Sequence, residues 1–403
     1  MEKTATLPWD LVEEILSRLP PKPLVRLRTV CKQWKTLVDD NTFINNHKKT
    51  FRFILVTKSK VYSVSLNPKI EVRELTLNIP GLKDEEPNDL VECNGFILCG
   101  MAEGAVVCNP WLGQTRCIQG GVNQSSFEYL GIGYDDNTIN KKIVYKTLAS
   151  DTSHTTTVWK IHDFDTDEWK DEEEKPETTG ESNLIYIHST RGVSLNGNLF
   201  FIAYGLTRPS FFIVFYNFRR EKNYNLCDLP CAQKDHSDTL VLRVYRGDRF
   251  SLLKQCHVTK KIQIWVVKDK IDIRSRMKVK WRIFMEVSIP NLPDLIQMQS
   301  YYQPSYFIDD KRGSKRLVVC SCDVDGRAWI YVVGENKLIS KTRLDSVVDP
   351  WPLHCTCFPS LVMVPGCQRE EGKANLQVNY SFLWFFVWLF LKLKFLFSKI
   401  KYF

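Results

Sequence analysis

At 403 residues and 47.0 kDa the chain is long enough for two or three domains with at least one large core. Its 44% hydrophobic and 25% charged residues match folded globular proteins, which argues against wholesale disorder, a fibrous repeat and a polytopic membrane protein. The 55 Lys and Arg outnumber the 46 Asp and Glu by nine, but the surplus is spread along the chain, so no basic nucleic-acid-binding domain is expected.

The first 50 residues read as short helices. Leu11, Val12, Ile15, Leu16 and Leu19 fall on one helical stripe that Pro20-Pro21 ends. Pro23 is suited to open a second helix carrying Leu24, Val25 and Leu27. A third piece carries Val30, Cys31, Trp34, Leu37 and Val38. Three such helices bury too little surface to fold alone, so their apolar stripes need a second surface, either the rest of the chain or a partner.

From residue 51 to 366 the period changes to two, with clusters of Val, Ile, Phe, Tyr and Trp between Gly, Asn, Asp and Lys turns. Similar strand endings recur at Asn67, Asn109, Asp163, Asn217, Val266 and Val332, spaced by 42, 54, 54, 49 and 66 residues. Cys93–Cys99, Leu195–Phe201 and Tyr245–Leu253 read as recurring neighbouring strands. This predicts an α+β multidomain chain, a helical unit followed by an all-β, kelch-like β-propeller, with an open β-sandwich as the alternative. The 66-residue interval leaves room for an additional strand pair.

The 13 Cys are odd in number and mostly lie in apolar runs such as Phe96–Cys99, the usage of buried free thiols in a reducing compartment. Met1–Asp10 lacks the basic start and apolar stretch of an export signal, so cytoplasm or nucleus is the expected location.

Leu7-Pro8-Trp-Asp-Leu-Val-Glu-Glu-Ile-Leu-Ser-Arg-Leu-Pro20 followed by Leu24-Val-Arg-Leu-Arg-Thr-Val-Cys-Lys-Gln-Trp34 closely resembles an F-box. Downstream, Asn109-Pro-Trp-Leu-Gly-Gln-Thr-Arg116, Asp163-Phe-Asp-Thr-Asp-Glu-Trp169, Arg191-Gly-Val-Ser-Leu-Asn-Gly197, Arg246-Gly-Asp-Arg-Phe-Ser251, Phe307-Ile-Asp-Asp310 and Pro359-Ser-Leu-Val362 are similar to the type 1 F-box associated domain of plants. Cys117 and Asn217 depart from that pattern, where an aromatic residue and an Asp are usual. The resemblance implies a non-catalytic substrate receptor of an SCF-type cullin-RING ubiquitin ligase. It implies an F-box that docks on a Skp1-like adaptor and a β-domain that binds the protein to be ubiquitinated. By match to the motif, the adaptor-facing or motif-defining set is Leu7, Pro8, Leu11, Ile15, Leu16, Leu24, Leu27, Val30, Cys31 and Trp34. The alternative is a ligase-independent propeller scaffold whose F-box-like segment caps the propeller.

No cofactor and no metal is expected. Asp163, Asp165, Asp167 and Glu174 imitate a calcium loop, but Glu168 stands where its sharp turn needs Gly, and a hairpin turn is the better reading. Cys320/Cys322 and Cys355/Cys357 reflect the side-chain alternation of strands rather than zinc-ligand spacing. No nucleophile elbow, metalloprotease helix or phosphate-binding glycine loop is present. Residues 367–403 have no counterpart in the family pattern; their aromatic stretch, Phe382 to Phe397 with flanking lysines, is too short and interrupted for a full span and fits an in-plane membrane contact or an inert extension.

Overall fold

The computed structural model describes residues 8–28, 30–40, 43–44, 47, 50–66, 69–77, 79, 82, 87–93, 95–101, 104–119, 127–134, 141–150, 155–172, 185–187, 191–205, 210–231, 238–274, 279–288, 295, 303–310, 315–335 and 337–367. Met1–Gly366 forms one compact unit and Cys367–Phe403 another. Leu7 and the 382–397 tail lie outside the described residues, and among those described no helix is long and apolar enough to cross a membrane.

The chain opens with α1 (Trp9–Leu16), α2 (Pro21–Leu27) and α3 (Lys32–Asp39). The second helix starts two residues before the expected Pro23, with Pro20 as its cap and Pro21 in its first turn. Amide donors in a first turn have no intrahelical acceptor, so Pro21 and Pro23 both fit there without losing a hydrogen bond. Cys31 caps α3 through Sγ, which accepts from Trp34 N at 3.5 Å. The Cys-Lys-x-Trp spacing thus has a local structural meaning.

Among the described residues, everything from Phe53 onward is built from strands that pair antiparallel in six sheets. The first begins with β1 (Phe53–Val56), β2 (Val61–Ser65) and β3 (Glu71–Leu75); the second is β4 (Asp89–Cys93), β5 (Phe96–Met101), β6 (Gly104–Asn109) and β7 (Gln114–Gln119). The third is β8 (Phe127–Tyr134), β9 (Lys141–Ser150), β10 (Thr155–Asp163) and β11 (Glu168–Glu172). In the fourth, β12 (Ile185–Ile187) and β13 (Val193–Leu195) pair with different parts of β14 (Asn198–Gly205), which continues to β15 (Phe211–Asn217) and β16 (Lys222–Asp228). The fifth is β17 (Thr239–Tyr245), β18 (Arg249–Gln255), β19 (Ile262–Val267) and β20 (Trp281–Val287); the sixth is β21 (Ser305–Asp309), β22 (Arg316–Cys322), β23 (Ala328–Gly334) and β24 (Lys337–Arg343). Finally β25 (Leu353–Thr356) returns to the first sheet and pairs with β1, Val56 opposite Leu353 and Phe53 opposite Thr356.

The strands β25, β4, β8, β13, β17 and β21 touch one another in a closed ring, while β3, β16 and β24 carry mostly exposed or half-exposed residues at the rim. This is a β-propeller, and the sandwich alternative is excluded. The recurring strand endings Asn109, Asp163, Asn217, Val266 and Val332 all lie in the third strand of successive blades. The sheets on either side of the 66-residue interval have four strands each, and the described residues hold no additional pair there.

Apolar faces of neighbouring blades pack together, which explains why inner strands read as continuous hydrophobic runs instead of alternating ones. Between blades four and five, Phe200 meets Phe250 edge-on with ring centroids 4.9 Å apart, beside buried Phe215, Leu242 and Leu252. Cys320 and Cys322 belong to the core between blades six and one, and Cys355 and Cys357 to that of blades one and two. Burial pushes all four thiols up, so they behave as small apolar side chains.

The propeller has two distinct ends. One carries the β4–β5 and β6–β7 turns and the segment leaving β25, the latter two tied together by Asn109, whose Nδ2 donates to Ser360 O and Val362 O at 2.9 and 2.8 Å. The other carries the β1–β2 and β22–β23 turns and the β24–β25 link: Ser59 Oγ donates to Asp349 Oδ2 at 2.7 Å, and Trp351 N donates to Gly326 O at 2.7 Å.

Polar groups line the inner ring. Arg191 Nε pairs with Asp89 Oδ1 at 3.1 Å, and His354 Nδ1 lies 2.9 Å from Ser305 Oγ. Burial first, then the positive charges of Arg191 and Arg243, pull the His354 pKa down to about 3. The unfolded chain takes up a proton near pH 6.5 that the native imidazole refuses, so this contribution to stability is full above about pH 6.5 and is lost as pH falls towards 3. Urea midpoints of wild type and His354→Gln across that window are expected to converge on acidification; a constant difference would contradict a buried neutral His354.

Candidate docking surface on the N-terminal helices

The helices do not stand free. Leu16, Leu24, Leu27, Leu37 and Val38 share one core with Ile54 and Val56 of β1, Trp111 and Leu112 of the β6–β7 turn, Leu353 and Cys355 of β25, and Cys357 and Leu361 of the segment after it. The rest of the chain is thus the second surface that their apolar stripes require. Three motif residues assigned to an adaptor-facing set, Leu16, Leu24 and Leu27, are turned into this internal core, and Trp34 is half-buried against it. Helical periodicity identifies an apolar stripe but not what covers it, which is why the two kinds of position look alike in the sequence.

Polar contacts fix the same junction. Arg28, at the C-terminal cap of α2, donates through Nε to Asp39 Oδ1 at 2.7 Å and through Nη1 to Leu361 O at 3.0 Å, so one guanidinium joins α2, α3 and the segment after β25. His47 Nε2 lies 2.9 Å from Leu19 O, and its ring sits edge-on to Trp111 with centroids 5.1 Å apart. Asn109 Oδ1 accepts from Trp111 N and Leu112 N at 3.0 and 3.1 Å, holding the turn that presents both side chains to the helices. The Asn-Pro-Trp motif is therefore the seat of the helical unit. Arg116 extends the anchoring: it donates to Phe164 O and Pro365 O, both at 2.9 Å, and to Asp167 Oδ1 at 2.8 Å. Arg28 and Arg116 both lie inside recognised motifs, but nothing in the sequence marks their roles, because their acceptors are mostly distant backbone carbonyls.

What remains outside is apolar and unburied. Leu11 is 42% and Val30 60% exposed, Pro8 and Cys31 are exposed, and Ile15 is half-exposed one turn beyond Leu11. Trp9, absent from the motif set, is 38% exposed. On α1 the exposed stripe Pro8, Leu11, Ile15 runs beside the covered stripe Val12, Leu16, Leu19, the i, i+3, i+7 geometry by which a helix presents two faces. These exposed side chains can bury apolar area on a partner, and the helices beneath them are anchored to the propeller.

The other sequence candidates resolve into structure. Asp163 and Asp167 belong to the β10–β11 hairpin, where Asp163 Oδ1 accepts from Asp165 N at 2.9 Å and Asp167 is taken by Arg116. Among the described residues no cluster of His, Cys, Asp or Glu could hold a metal ion.

Residues 5–46 match the F-box domain, and residues 52–364 match the F-box associated beta propeller domain. The chain belongs to the F-box/β-propeller family. This F-box protein is 55% identical over 393 residues to a putative F-box/kelch-repeat protein of Arabidopsis thaliana, covering 96% of this chain and 93% of that one. It is 52% identical over 380 residues to an Arabidopsis thaliana F-box protein, covering 94% and 100%. Among solved structures it is similar to a chain of a nidogen/laminin complex, at 11% identity and a TM-score of 0.42, covering 77% of this chain and all of that one. That likeness is too distant to bear on function.

Proposed function

We propose that this F-box protein is the substrate-recognition adaptor of an SCF-type E3 ubiquitin ligase, acting in the cytoplasm or nucleus. Its helices dock on a Skp1-like protein through Leu11, Ile15, Val30 and their exposed neighbours, and the propeller captures the protein to be ubiquitinated. The observation that carries this reading is the anchored helical unit, with an F-box sequence, that buries one apolar face on its own propeller and leaves another uncovered. The chemistry belongs to other subunits. This chain contributes proximity, raising the effective concentration of a substrate lysine near activated ubiquitin.

Substrate capture is assigned to the propeller end away from the helices. Its turns and links expose Val258, Val324 and Val348 at 75, 81 and 80%, on loops that a rigid scaffold presents outward. The burial of Leu16, Leu24 and Leu27 on the propeller supports one competing reading, in which the helices only cap a ligase-independent scaffold.

Cys31 provides the test. It is exposed between α2 and α3, beside Val30, and Cys117 on β7 is exposed as well. In a co-purified complex with a Skp1-like adaptor, iodoacetamide labelling of Cys31 is expected to be suppressed while Cys117 stays reactive. No complex, or equal labelling of Cys31 with and without the adaptor, would favour the scaffold.

A further inference from the structure

Among the described residues, the inner ring of the propeller holds a cation that no carboxylate pairs with. Arg243 is the fifth residue of β17. Its guanidinium makes one hydrogen bond, from Nη1 to Leu242 O at 3.2 Å, and its Nε is shielded from solvent with no acceptor. Arg191 is served by Asp89 and by His354 O, whereas Arg243 forms no ion pair with any described residue. Glu92 on β4 is the nearby carboxylate, but its Oε1 accepts from Gly95 N at 2.9 Å instead. Burial pushes the Glu92 pKa up to about 7, so it is an incomplete counter-charge even at neutral pH. Burial first and the charge of Arg191 second pull the Arg243 pKa down, partly offset by groups that include Glu92.

This half-buried guanidinium has no anionic partner among the described residues, and its planar fork of donors matches an oxyanion. We propose that the propeller channel binds one small free oxyanion of the sulfate or phosphate class, held by Arg243 and approached by Arg191. The depth of the site argues for a free ion over the side chain of a captured protein. Arg243 lies about 13 Å along β17 from its start, which faces the end assigned to substrate capture, at roughly 3.3 Å per residue. A bound anion compensates the charge of Arg243, and this role is independent of adaptor docking.

Equilibrium dialysis of the full chain against radiolabelled sulfate, at constant ionic strength with chloride as the balancing salt, tests the assignment. Wild type is expected to bind one sulfate per chain, Arg243→Gln to bind about tenfold or more weakly, and Glu92→Gln, which removes the competing carboxylate, to bind more tightly. Absence of sulfate binding by wild type, or wild-type affinity in Arg243→Gln, would overturn the proposal. Should Arg243→Gln fail to fold, unchanged or weaker affinity in Glu92→Gln overturns it alone. A phosphoserine peptide that displaces the sulfate would give the site to a captured chain and overturn the free-ion assignment.

Discussion

Replacing Leu11 and Val30 together by Ala is expected to weaken capture of a Skp1-like adaptor by about a hundredfold while leaving thermal unfolding nearly unchanged. Both side chains are more than a third exposed and contribute little to the internal core, so each truncation is expected to shift stability by less than about 0.5 kcal/mol. Leu24→Ala is the opposite case. Leu24 is fully buried, and losing it is expected to cost about 2–5 kcal/mol through the cavity left at the helix–propeller junction. Surface plasmon resonance on immobilised adaptor, paired with thermal melts, separates the two effects. An adaptor affinity unchanged by Leu11→Ala with Val30→Ala would remove these residues from the interface.

Asn109→Ala is expected to be the most damaging single polar substitution on the β-domain. Its side chain is fully buried and serves two backbone donors, Trp111 N and Leu112 N, and two backbone acceptors, Ser360 O and Val362 O. Each buried group left unpaired costs on the order of 1–3 kcal/mol, so the sum reaches a large share of the roughly 5–15 kcal/mol that stabilises a domain. The loss is local: limited proteolysis of the variant is expected to cleave first between α1 and β1, as the seat of the helices loosens. Asn217 supplies an internal control. It ends the third strand of blade four as Asn109 ends that of blade two, yet its Oδ1 only accepts from Arg219 N and Arg220 N in an exposed turn. Asn217→Ala is expected to cost about 1 kcal/mol or less. Equal effects of the two substitutions would show that the contacts to Ser360 and Val362 do not matter.

Residues 109 and 217 also mark what could be read in advance. The change of period at residue 51 and the recurring strand endings expose the propeller, because they are local properties of each strand. The pairing of β1 with β25 is invisible at that level, since Phe53 and Thr356 carry no sequence mark of being neighbours. The same holds for the docking surface. The stripe through Leu11, Ile15 and Leu16 was legible as apolar, but the division of its residues between a covered and an open face depends on Trp111 and Leu361, far away in the chain. Cys31 was legible as part of a motif, and the bond from Trp34 N shows one reason for its place.

The return of β25 to β1 has a consequence for the order in which the protein comes into being. The helices leave the ribosome first, yet the segment to which they are tied, where Leu361 O accepts from Arg28, follows 333 residues after that arginine. At about 5–20 residues per second, their apolar undersides wait on the order of tens of seconds for cover. A nascent chain broken off before residue 353 has an unsealed edge at β1 and helices without their full seat. The ring therefore closes only once β25 has been made, and the helices obtain their full seat no earlier.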